Sequence, residues 1–159
     1  MDEKDILLLE ELQKDCRQSL KKLARKLSMS ITTVYDRMKK LEKEGVIKGY
    51  KAILDPDKTG NEAIAFILVR MEYFHGPDYE PLSQREIAKK ISQIPGVMEV
   101  HIIAGEWDIL IKARGKTIKD IGNFVIDRLR MIRGVGRTLT CDAWVTAKES
   151  PDVYLRKPV

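Results

Sequence analysis

The sequence predicts an α+β chain in two parts, a bundle of three helices followed by a βαββαβ unit. Three observations carry that expectation. Before residue 45, apolar side chains recur at helical spacing in three runs separated by polar capping residues. Beyond residue 60, β-branched runs alternate with amphipathic stretches. Finally, Ile94-Pro95-Gly96-Val97 and Ile132-Arg133-Gly134-Val135 echo each other, each a glycine that ends a helix and opens a strand.

Ile6, Leu8, Leu9 and Leu12 give a first helix over roughly residues 3 to 14. Ser19 caps a second, with Leu20, Leu23, Ala24 and Leu27 on one stripe and Ala24 small enough to let another helix cross closely. After the break Ser28-Met29-Ser30, Ser30 caps a third helix. It is expected to bury Ile31, Val34, Met38 and Leu41 and to stop at Gly45. Residues 46–54 read as a short strand and 55–60 as a turn-rich joint. The expected domains are therefore 1–45, a linker 46–60 with strand and hinge, 61–148, and a tail 149–159 lying on the surface.

In the second domain a strand over 63–71 precedes a charged loop, 73–82, whose Tyr73, His75 and Tyr79 either meet a partner or sit in solvent. A helix with Ile87, Ile91 and Ile94 follows, then two strands flanking Ala104-Gly105-Glu106-Trp107-Asp108. A second helix with Ile118, Ile121, Phe124, Val125, Leu129 and Ile132 leads to a last strand near 138–147. Right-handed crossovers make this arrangement a ferredoxin-like domain. The first strand is apolar on both faces, with Ala63, Ala65, Ile67 and Val69 on one and Ile64, Phe66 and Leu68 on the other. Two helices cover only one face, so the other is expected to meet a second copy of the chain.

Composition limits the function. The 159 residues carry a formal net charge of +5, unevenly spread. Residues 16–51 hold eleven Lys or Arg against three Asp or Glu, whereas residues 61–159 hold fifteen against thirteen. A basic block confined to one end is the footprint of a nucleic-acid binder. Met1-Asp2-Glu3-Lys4-Asp5 is no signal peptide, and the longest apolar run is too short for a membrane span. Cys16 and Cys141 are isolated and read as small buried hydrophobes in a reducing cytoplasm. With only His75 and His101 and no paired cysteines, no metal site is expected, nor any cofactor. No nucleophile-base pair, phosphate loop or acidic dyad points to an enzyme.

Two helices joined by three residues, the second amphipathic and basic, form a helix-turn-helix signature. On the third helix Thr32, Asp36, Lys39, Lys40 and Lys43 lie opposite the buried stripe, flanked by Thr33, Tyr35 and Arg37. Thr32, Thr33 and Asp36 are base-side candidates, and Arg37, Lys39 and Lys40 phosphate anchors. With Ser30 and Tyr35 they complete the candidate DNA-contacting set. A pair of such helices in a dimer implies a roughly palindromic site on double-stranded DNA.

The motifs D-x-x-D-x-x-L-L-x-x-L-Q-x-D at the front, L-A-x-x-L-x-x-S at the turn and R-x-x-x-L-E-x-E-G-V-I-x-G-Y over residues 37–50 resemble the leucine-responsive regulatory protein/AsnC (Lrp/AsnC) family. The resemblance covers nearly the whole chain. It implies a prokaryotic transcription regulator with an N-terminal winged helix-turn-helix and a ferredoxin-like, RAM-like effector and oligomerisation domain. That domain dimerises through its sheet and often assembles further, to tetramers or octamers.

The resemblance also implies a free amino acid as effector, bound at the G-x-x-D loop in the contact between dimers. Here the loop is Gly105, Glu106, Trp107 and Asp108, with Thr138 and Thr140 as polar groups of the last strand. An α-amino acid would offer its ammonium to Asp108 and its carboxylate to backbone N–H groups or the threonines. Trp107 stands where the family pattern has Tyr, which alters the size of the pocket. The expected function is thus a sequence-specific, amino-acid-responsive transcription regulator; the alternative is an architectural protein that organises DNA without effector control.

Overall fold

The computed structural model describes residues 1–73 and 82–156. His75 and Tyr79 lie outside them. The chain forms two compact units, one of Met1–Ile53 together with the residues from Lys148 on, the other of Leu54–Ala147.

In the first unit, α1 spans Glu3–Lys14, α2 Leu20–Lys26 and α3 Ile31–Lys43. Each starts on a side-chain cap. Asp2 and Asp5 exchange backbone-to-carboxylate hydrogen bonds at α1, Ser19 Oγ accepts from the Lys22 amide at 3.2 Å, and Ser30 Oγ accepts from the Thr33 amide at 3.0 Å. The stop of α3 is equally local: Gly45 N donates to Glu42 O at 3.0 Å and Val46 N to Leu41 O at 2.9 Å, a Schellman ending. Leu8, Leu9, Leu12, Leu23, Ala24, Val34 and Leu41 make the core. Ala24 is buried in it, as its size foretold.

Several expectations fail in this unit. Residues 46–54 form no strand: they find no ladder partner among the described residues, and Ile53 and Leu54 are left exposed. Ile31 is 49% exposed rather than buried, because it opens the first turn of α3 beyond the reach of the α1 and α2 side chains. The tail is also more than a surface extension. Val153 N donates to Gln13 Oε1 at 2.6 Å, Gln13 Nε2 returns a bond to Val153 O at 3.1 Å, and Leu155 packs on the helical core. One amide side chain thus satisfies both backbone groups of a residue 140 positions away, a pairing that no local pattern could announce.

The second unit runs β1 (Ala63–Met71), α4 (Gln84–Ser92), β2 (Val97–Ile102), β3 (Ile109–Gly115), α5 (Ile118–Phe124) and β4 (Val135–Asp142). Past Phe124, α5 continues as a π-helical turn over Val125–Leu129. The sheet is antiparallel in the order β2-β3-β1-β4, the ferredoxin-like topology. Ile67, Val69, Ile109 and Ile111 on one face meet Ile87, Ile91, Ile121 and Leu129 from the helices. Each such aliphatic side chain, fully buried, contributes about 1.5–3 kcal/mol. The echoed glycines have a physical reason. Gly96 and Gly134 take φ +90° and +94°, and a Cβ would lie 2.9 Å from Arg114 O at the first and 2.5 Å from Ile87 Cδ1 at the second.

β4 stops at Asp142 instead of reaching residue 147, because β1 begins at Ala63 and the ladder runs out after the Ala143 N to Ile64 O bond. On the face away from the helices, Leu68 is paired with Leu110 and Leu139, and Phe66 with Cys141. Phe66 is 40% and Leu139 44% exposed. Both cysteines are exposed free thiols, contrary to the buried role expected of them. Cys141 alternates to the open face of an edge strand, and Cys16 lies in the turn between α1 and α2.

Candidate functional site

The basic face of α3 is built by what the other side buries. Val34 and Leu41 are in the core and Met38 is half-buried, so Thr32, Tyr35, Asp36, Lys39, Lys40 and Lys43 project into solvent. Lys39 Nζ bonds Glu42 Oε2 at 2.9 Å and lies 5.9 Å from the Tyr35 ring centroid. These contacts raise the Lys39 pKa, the Glu42 hydrogen bond first among the causes. Lys40 is 4.0 Å from Glu44, a loose exposed pair that phosphate would readily replace. Ser30 and Thr33 serve the helix start, their hydroxyls 2.7 Å apart.

Arg37 departs from its expected role as a phosphate anchor. Its Nη1 sits 2.8 Å from both carboxylate oxygens of Asp2 and 2.6 Å from Asp5 Oδ1. Asp5 is 1% exposed, whereas the Arg37 side chain retains 22% of its surface. The hydrogen bonds from Asp2 and then Asp5 raise the Arg37 pKa; Asp2 is lowered first by the Asp5 amide and then by Arg37. The guanidinium ties α3 to the start of α1. Its partners lie 32 and 35 residues upstream, in an acidic first turn that reads locally as no more than a helix cap.

The loop between β2 and β3 is held from several directions. Gly105 takes φ +125°, a backbone that side-chain-bearing residues rarely adopt, and Glu106 beside it is exposed. The Asp108 amide donates to Val69 O at 2.9 Å, and its carbonyl accepts from the Ile103 amide at 2.9 Å and from Gln84 Nε2 at 3.2 Å. Its carboxylate accepts from Met71 N at 2.7 Å through Oδ2 and from the Tyr73 hydroxyl through Oδ1. That hydroxyl's pKa is raised, chiefly by the same bond. Asp108 therefore rivets the loop to the end of β1, a structural task that the sequence did not suggest.

The threonines do not share a face with the open side of the sheet. Thr138 and Thr140 stand opposite Val69 and Ile67, on the helix-facing side. Thr138 Oγ1 accepts from Arg130 Nε at 3.1 Å and from Arg130 Nη2 at 3.0 Å. The β4 residue brought to the loop is Arg137, whose guanidinium lies 5.5 Å from the Trp107 ring centroid. Nothing local marks Arg137; finding it requires the β1–β4 register.

A family described as winged helix-turn-helix DNA-binding matches residues 1–48. One described as the Lrp/AsnC ligand binding domain matches residues 64–153. The chain belongs to the Lrp/AsnC family. It is a DNA-binding transcriptional regulator with a ligand-binding domain, and not an enzyme. An uncharacterized HTH-type transcriptional regulator of Pyrococcus horikoshii is 45% identical over 149 residues, covering 94% of this chain and 96% of that one. Among solved structures, a transcriptional regulator of Neisseria meningitidis in complex with L-Met superposes with a TM-score of 0.86 at 26% identity, covering 97% of this chain and 96% of the other. A feast or famine regulatory protein of M. tuberculosis complexed with L-methionine gives 0.82 at 25% identity, over 96% and 97%.

Proposed function

We propose that this Lrp/AsnC regulator binds specific double-stranded DNA sites through α3, and that a free amino acid at residues 105–108 controls that binding. The observation that carries the DNA reading is the solvent-facing side of α3. It presents Thr32, Tyr35, Asp36, Lys39, Lys40 and Lys43 together while the reverse side is locked in the core. In a major groove Thr32 and Asp36 reach base edges, Asp36 accepting from cytosine N4, and the lysines neutralise phosphates. We place the regulator in the cytoplasm as a homodimer, with tetramers or octamers built from dimers.

The effector reading is supported by the two L-methionine-bound regulators of the same fold. Asp108 already accepts two hydrogen bonds, but each carboxylate oxygen keeps a lone pair for an ammonium. Asp108→Asn preserves an acceptor for Met71 N and removes the negative charge. We expect it to abolish the effect of the active amino acid on DNA binding, with effector-free DNA affinity near that of wild type. Titration calorimetry with each of the twenty amino acids, paired with DNA-binding assays, makes the comparison. Undiminished amino-acid binding to Asp108→Asn would move the site elsewhere. Equal affinity for all DNA sequences, with no amino acid having any effect, would favour the architectural alternative.

A further inference from the structure

We propose that Ile31 reads the C5-methyl group of thymine in the major groove, with Tyr35 extending the same apolar strip. This rests on the reading that α3 enters that groove. Ile31 is the first residue of the helix and 49% exposed; Tyr35, four residues on and therefore beside it, is 48% exposed. Neither belongs to the core that takes up Val34 and Leu41. Thr32, Lys39, Lys40 and Lys43 lie on the same exposed side.

An apolar strip with cations along it suits DNA better than an apolar protein surface. Phosphates would neutralise the lysines, whereas a protein partner would have to desolvate them. Within the groove, thymine is the base that presents a methyl group. The arginine of α3 is also unavailable for bidentate guanine recognition, because Asp2 and Asp5 hold its guanidinium. Sequence discrimination at the helix tip then falls to Ile31, Thr32 and Asp36. The half-site should contain a thymine at a fixed position that no hydrogen bond explains.

Replacing thymidine by deoxyuridine removes that methyl group and nothing else. A duplex selected by the wild-type protein from a random pool is the probe, substituted one thymine at a time and titrated by fluorescence anisotropy at fixed salt. A single deoxyuridine at that position in one half-site is expected to weaken wild-type binding roughly four-fold, the value of one buried methyl. Ile31→Ala should bind the thymine duplex correspondingly less well and lose the distinction between thymine and uracil, whereas Ile31→Val keeps it. If no deoxyuridine weakens wild-type binding, or if its effect persists unchanged in Ile31→Ala, the methyl reading is wrong. The wild-type scan needs no variant to fold. A Lys39→Ala, Lys40→Ala double variant tests the premise separately: unchanged affinity and salt dependence would remove α3 from the DNA altogether.

Discussion

Arg37→Ala is expected to destabilise the helical unit by about 3 kcal/mol, the lower end of the range for breaking a buried ion pair from one side. The lower end applies because Arg37 keeps some exposure while Asp5 has almost none. Truncation leaves the Asp5 carboxylate with only the Asp2 amide as a donor, at 3.0 Å, and its charge loses the guanidinium. It also takes the guanidinium from Asp2, which keeps its cap bond from the Asp5 amide. Calorimetric melting of the full chain should show an earlier transition for the helical unit and an unmoved one for the sheet unit. Asp2, held below its ordinary value of 3.8, sets the pH window. Its contribution is present above that value and is lost as the pH falls through the depressed one, so the wild type should lose this increment in acid while Arg37→Ala has less to lose. An unchanged melt, with a uniform loss of DNA affinity and a shallower salt dependence, would instead restore Arg37 as a phosphate anchor.

What the sequence made legible follows physical range. Helices α1 to α3, the caps of α2 and α3 and the stop of α3 were readable because Ser19, Ser30 and Gly45 act within three or four residues of themselves. The two helix-ending glycines of the sheet unit announced themselves by repetition, and the alternation of β1 exposed an apolar second face. Interactions between distant segments were not readable. Arg37 looked like one more cation on a basic helix until Asp2 and Asp5 stood beside it, and the tail looked loose until Gln13 met Val153. The candidate loop shows both cases. Gly105 was picked out by its residue type, yet the bonds of Asp108 to Met71 and Tyr73, and the approach of Arg137 to Trp107, depend on strand register. Ile31 failed for a geometric reason: at the end of a stripe, periodicity gives a direction but not whether a neighbouring helix reaches that far.

Phe66→Asp combined with Leu139→Asp is expected to convert the protein from a dimer or larger assembly into a monomer of 18.2 kDa. The open side of the sheet carries an apolar patch. Phe66 and Leu139 are exposed there, with Leu68 and Leu110 half-covered between them on three adjacent strands. Scattered apolar residues on a surface are ordinary, but a contiguous patch across the centre of a sheet calls for a partner. A second copy of the same face supplies one by symmetry, with side chains interleaving between sheets about 10 Å apart. In such an interface each aspartate would be buried against apolar groups of the facing copy, and Lys112, opposite position 66, is already bonded to Glu99 at 3.1 Å. Because both positions face solvent in the isolated unit, the monomer should keep its helix and strand content by circular dichroism. Light scattering reads the mass: a wild type that itself runs as a monomer at micromolar concentration would end the proposal, and a variant that keeps the wild-type mass would assign assembly to another surface. DNA binding should follow the mass. A dimer brings two α3 helices to two half-sites spaced by whole helical turns, so a monomer should gain nothing from the second half-site and should bind the full site no more tightly than a single half.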